Sequence, residues 1–148
     1  MHILKKSSIF PLTAIAETVV RFNECDPLGI VWHANYLHFF EDGREAFTKK
    51  FNFDFLEFYN KGLAVPFVHA SVDYKKTLSF RDKIKIEVTY VHSPAAKIIF
   101  EYKIVKEETN EIVCTGRTVQ VFIDPVTKEL HMTLPLFFIE WQKQVGLL

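Results

Sequence analysis

The tightest constraint on this chain is a change in its hydrophobic period. Between Tyr36 and Phe51 the period is helical: Tyr36, Phe39, Phe40, Gly43, Phe47 and Phe51 fall on one face, and Asp42, Glu45 and Lys49 fall opposite. From Phe67 onward the chain reads as strands, over residues 67–74, 83–92, 97–106 and 112–124. The second of these alternates cleanly, with Ile84, Ile86, Val88 and Tyr90 on one face and Lys83, Lys85, Glu87 and Thr89 on the other. One more strand, 13–22, precedes the helix. Consecutive strands joined by short turns predict an antiparallel sheet, and a single aromatic-faced helix must cover it. The expectation is an α+β domain in which a five-stranded, curved antiparallel sheet wraps around a long central helix. Gly43 sits mid-helix on the apolar face, where glycine costs roughly 1 kcal/mol relative to alanine. It predicts a close approach of helix to sheet.

Smaller elements follow. Residues 53–60 read as a short helix ended by Lys61-Gly62, and 136–143 as a C-terminal helix behind Leu134-Pro135. In the last strand the apolar positions shift from Ile112 and Cys114 to Val119, Val121 and Ile123, which predicts a bulge near Gly116. The 148 residues form one domain, with 1–12 as a loose lead-in. The 15 phenylalanines need a large core or an oligomer interface, and a lone sheet leaves one face and an edge open. A homo-oligomer, dimer or tetramer, is expected. The 18 basic and 18 acidic residues cancel, which argues against nucleic acid or an anionic membrane as partner. Cys25 and Cys114 form no zinc or redox motif, so a reducing compartment is expected. The N-terminus lacks the apolar run of a signal peptide, and no stretch is long enough to insert in a membrane. A cytoplasmic protein is expected.

Between the first strand and the helix lies Glu24-Cys-Asp26-Pro-Leu-Gly29-Ile-Val-Trp-His33-Ala-Asn35-Tyr36. Pro27 biases Asp26 toward extended backbone, and Gly29 permits a tight turn. The helix that follows begins with amides that lack intrahelical partners. A carboxylate beside free N–H donors is a kit for attack on a carbonyl, with one group to activate or deliver a nucleophile and another to hold the oxyanion. The same residues also suit a plain Asp-Pro turn. His38 and Glu41, at i,i+3, have no second ligand cluster nearby, so no metal is expected.

This stretch, the aromatic helix behind it and the order of strands resemble the hotdog-fold acyl-CoA thioesterases of the 4-hydroxybenzoyl-CoA thioesterase type. The resemblance covers almost the whole chain. It implies hydrolysis of an acyl-CoA or aroyl-CoA to the free acid and CoA. No cofactor is implied, CoA being part of the substrate. It implies Asp26 as nucleophile or general base, and the backbone N–H of His33, in the first helical turn, as the group that polarises the carbonyl. Gly29, Asn35 and Tyr36 match positions that form the corner, and Asn35 also suits a helix cap. Glu41 with Arg44 matches a Glu-x-x-Arg element that reads as an ion pair, although another hotdog branch uses a helix Glu in catalysis. His69 and Ser71 fall on the strand expected to line the pocket, and Thr77 matches a position near the thioester. The family's Arg-Arg pair is missing at the turn before the fourth strand, where only Lys97 stands, so Lys75, Lys76 and Arg81 are the substitutes for binding CoA phosphates. Sites between two subunits are implied. Two rivals remain on sequence: a hydroxyacyl-thioester dehydratase, whose catalytic His motif does not stand out here, and a non-catalytic module that binds acyl-CoA or acyl carrier protein.

Overall fold

The computed structural model describes residues 11–148. Five strands form one antiparallel sheet: β1 (Thr13–Val19), β2 (Phe67–Tyr74), β3 (Lys83–Val91), β4 (Lys97–Lys106) and β5 (Ile112–Val121). Helix α1 (Asn35–Phe51) lies against it, followed by α2 (Phe55–Asn60), and α3 (Leu136–Gln144) closes the chain. The predicted lead-in lies mostly outside the described residues. Its last residue, Leu12, is buried, and its carbonyl accepts from the Tyr90 amide, so it belongs to the core.

The period change explains the packing. The helical stripe buries Tyr36, Phe39, Phe40, Gly43 and Phe47, and the alternation of β3 buries Ile84, Ile86, Val88 and Tyr90 beneath it. Gly43 is the point of closest approach. A methyl there would overlap Val88 Cγ2 and lie 2.9 Å from Ile86 Cγ2. Phe40 stacks on Tyr102 with ring centroids 4.2 Å apart. From α3, Trp141 donates its indole N–H to the Phe51 carbonyl at 2.9 Å and meets the ring of Phe53 at 4.6 Å. Among the described residues eight phenylalanines are almost fully buried, so the core itself absorbs much of the aromatic load.

Two sequence expectations need correction. The strand order is β1-β3-β4-β5-β2, so β2 is not beside β3. It pairs with β5 at the far edge, and the connection 75–82 crosses the end of the sheet past the 26–31 loop. Second, Gly116 is not a bulge: it stays in register opposite Tyr102 and Val72. The irregularity between β4 and β5 falls at Ile104/Val105 instead. The apolar positions shift because β5 turns polar residues inward. Thr118 and Tyr102 share a hydroxyl bond of 2.6 Å, and Gln120 accepts from Arg44 at 3.0 Å. Gly116 is small because Phe40 and the Ser71 carbonyl (2.6 Å from an added methyl) occupy the space above it. The sheet face away from α1 is polar, as the alternation of β3 leads one to expect. It carries the pairs Lys85–Glu17 and Lys103–Glu87, and sets Glu101 opposite Arg117. Apolar side chains of the sheet are exposed on both edge strands, at Phe67, Val68 and Tyr74 in β2 and at Ile15 and Val19 in β1, and at Ile112 where β5 begins.

Candidate active site

The chain from 25 to 31 folds back on itself, with Cys25 bridged to Val31. The Gly29 amide donates to the Asp26 carbonyl at 2.9 Å, closing a turn with Pro27 in its second position and Gly29 at φ +82°. That left-handed φ is where glycine carries no side-chain penalty. The Asp26 side chain reinforces the turn, its Oδ1 accepting from the Leu28 amide at 2.8 Å. Among the described residues its Oδ2 has no bonded partner.

The Glu24 carbonyl accepts both the Trp32 amide (3.0 Å) and the Asn35 side-chain amide (2.8 Å). Asn35 is therefore a staple between loop and helix rather than a cap. The N-cap is Ala34, without a side-chain bond. His33 lies in the turn just ahead of α1, not in its first helical turn. Among the described residues its N–H bonds to nothing. Its carbonyl accepts the Tyr74 hydroxyl at 2.7 Å.

These parts meet in a cleft of about 410 Å³, lined by Asp26, Ile30, Val31, His33, Tyr36, Tyr74, Lys75, Lys76 and Thr77. One wall is apolar and aromatic, with Tyr36 and Tyr74 edge to face at 5.0 Å. Burial, together with Cys114 and Tyr74 nearby, pushes the Tyr36 hydroxyl up to about 12, so it stays protonated in the cleft. The rim is basic, although Lys76 also reaches Glu111 at 3.4 Å. A carboxylate oxygen, a free peptide N–H and an apolar wall are what attack on an acyl carbonyl requires.

The crossing 75–82 segment is what brings Lys75, Lys76 and Thr77 to Asp26. Other predicted residues stand elsewhere in the protomer. Gly29 shapes the turn without lining the cleft. Glu41 holds both carboxylate oxygens on Arg44 Nη1, at 2.7 and 2.8 Å, and lines a separate groove between α1 and α2. His69 and Ser71 lie on the exposed edge strand and alternate toward the outer sheet face, opposite Val119 and Arg117. Arg81 stacks on Phe80 (4.9 Å) in a groove with Asp82, Lys83 and Lys106. Lys97 begins β4 opposite Val121, at the other end of the sheet. Tyr74 went unrecognised in the sequence, since an aromatic residue ending a strand carries no signal for a bond to a loop 41 residues away. Among the described residues no group of three or more His, Cys, Asp or Glu side chains is placed to hold a metal.

A five-stranded antiparallel sheet packed on one long helix is the hotdog architecture. Solved structures agree. The 1,4-dihydroxy-2-naphthoyl-CoA thioesterase Slr0204 from Synechocystis superposes with a TM-score of 0.79 at 22% identity, covering 90% of this chain and 95% of that one. A 4-hydroxybenzoyl-CoA thioesterase mutant, complexed with 4-hydroxybenzoyl-CoA, gives 0.74 at 18% identity, covering 88% and 98%. The putative acyl-CoA thioesterase YneP of Bacillus subtilis is 33% identical over 104 residues, 70% of this chain and 68% of that protein. Residues 20–142 match the family model of the thioesterase-like superfamily. The chain belongs to that superfamily, and it is a thioesterase.

Proposed function

We propose that this protein hydrolyses acyl-CoA or aroyl-CoA thioesters to the free carboxylic acid and CoA. The observation that carries the reading is Asp26, with one oxygen held by the Leu28 amide and the other without a partner among the described residues, in the same cleft as the His33 amide, which likewise has none among them. In the general-base route, Asp26 takes a proton from water as the water oxygen bonds to the thioester carbon. The carbonyl oxygen becomes an oxyanion facing the His33 N–H, the C–S bond breaks, and the CoA sulfur leaves with a proton. In the nucleophilic route, the Asp26 carboxylate adds to the thioester carbon, the C–S bond breaks and CoA thiolate leaves, and water then hydrolyses the mixed anhydride to the free acid and the restored carboxylate. Neither route calls on a metal or redox cofactor. The apolar wall of Ile30, Val31, Tyr36 and Tyr74 takes the acyl group, and Lys75 and Lys76 at the rim suit the phosphates of CoA. Relatives by sequence are named both 1,4-dihydroxy-2-naphthoyl-CoA hydrolase and acyl-CoA thioesterase, so aromatic and aliphatic acyl groups are both candidates here.

We place the protein in the cytoplasm, where the two free thiols, Cys25 and Cys114, would stay reduced. Among the described residues no helix is long and apolar enough to cross a membrane. The working unit we propose is a homo-oligomer, at least a dimer. Support comes from β2, an unpaired edge strand that exposes Phe67, Val68 and Tyr74. Two such edges paired about a twofold axis would bring β2 of a second copy, the strand that carries His69 and Ser71, beside the Asp26 cleft.

The test is thiol release across a panel of acyl-CoA and aroyl-CoA esters, with and without chelator, for the wild type and Asp26→Asn. Turnover that survives chelation and collapses in the variant supports the proposal. Tight binding without thiol release would make the protein a binding module and overturn it.

A further inference from the structure

The three successive peptides around His33 are each held by a hydrogen bond, two from the main chain and one from a side chain. The peptide between Trp32 and His33 is held because the Trp32 carbonyl accepts from the Asn35 amide at 2.9 Å. The peptide before it is held by the Trp32 amide on the Glu24 carbonyl. The peptide after it, between His33 and Ala34, is held by a side chain from another strand, the Tyr74 hydroxyl on the His33 carbonyl. The His33 N–H lies in the Trp32–His33 peptide, so the Tyr74 hydroxyl acts on it through the His33 Cα: with the following planar peptide held at its oxygen, residue 33 has less freedom to rock and re-aim its N–H.

We infer that Tyr74 is a positioning residue for the reaction, aiming the His33 amide by holding the next peptide through its hydroxyl. The inference rests on the thioesterase reading of the cleft. Tyr74 is suited to the task. It ends β2 where the chain turns across the sheet, its ring leans on Tyr36, and half of its surface is exposed (52%). A residue so exposed adds little to the core, so its hydroxyl has a local effect that can be separated from folding. Oxyanion donors act only when held at the position that the charge will occupy, so loss of aim lowers turnover rather than binding.

The experiment is Tyr74→Phe in the intact protein, which keeps the ring on Tyr36 and removes only the hydroxyl. The expected result is a fall of about tenfold in kcat, with KM within about twofold and an unchanged melting temperature. In NMR spectra the His33 carbonyl carbon and the Ala34 amide should shift, since both atoms lie in the peptide that the hydroxyl holds. Unshifted His33 and Ala34 resonances would overturn the inference, as would a kcat within about twofold of wild type. A rise in KM at constant kcat would show the hydroxyl binding substrate instead of holding the peptide, and would likewise overturn it. Should the wild type release no thiol from any ester, the thioesterase reading falls by itself. The Ala34 and His33 resonances then still decide whether Tyr74 holds the peptide.

Discussion

Asp26 sits in two structures at once, the turn and the cleft, and a pair of substitutions separates them. Asp26→Asn keeps an oxygen at Oδ1, so the bond to the Leu28 amide can persist. Asp26→Ala removes it. An exposed hydrogen bond of this kind contributes about 0.5–1.5 kcal/mol. At roughly 2–4 °C per kcal/mol for a chain of this size, alanine should lower the melting temperature by about 1–6 °C, and asparagine by less. Activity should behave differently. Neither residue can accept a proton from water or form an acyl anhydride, and loss of a general base costs about 10²–10⁴ in rate, roughly 3–5 kcal/mol. Both variants should therefore lose kcat/KM alike while differing in stability. Thiol release and thermal unfolding on the same samples read the two effects. A loss below about 30-fold in Asp26→Asn, roughly 2 kcal/mol, would refute the chemical assignment and leave Asp26 as a turn residue only. If Asp26 is the nucleophile, repeated turnover in ¹⁸O-water should leave label in the enzyme; label found only in the product acid favours the general base.

Three further outcomes are expected. Gly43→Ala gains roughly 1 kcal/mol of helix propensity, but its methyl must displace Val88 and Ile86, an overpacking cost of about 1–3 kcal/mol, so the variant should melt lower and not higher. Tyr36 and Tyr90 both titrate near 12 in the folded protein because they are buried, against 10 when unfolded. The folded state thus holds more protons above pH 10, and stability should fall as pH rises from about 10 toward 12, which melts across that range would detect. Mixing Asp26→Asn with a variant altered at His69 and Ser71, and allowing subunits to exchange, should restore part of the activity if sites are shared. Light scattering that finds a fully active monomer would rule out the shared site.

Much of this protein was legible in one dimension because periodicity is local. The stripe from Tyr36 to Phe51 and the alternation from Lys83 to Tyr90 each name their buried face from neighbouring residues alone, and Gly43 announced the close contact with β3. The turn at Asp26 was legible too, since Pro27 and Gly29 act on their own backbone. The sequence misled where a buried position holds a polar side chain. Thr118 and Gln120 face inward because Tyr102 and Arg44 satisfy them, and that pairing lies across strands and between helix and sheet. Only the tertiary structure decided that β2 crosses to the far edge. That single choice carries Lys75, Lys76 and Thr77 to Asp26, sets the Tyr74 hydroxyl on the His33 carbonyl, and leaves His69 and Ser71 on an open edge. Strand order depends on which pairings bury the most apolar surface over the whole chain, a sum over distant residues that no local pattern records.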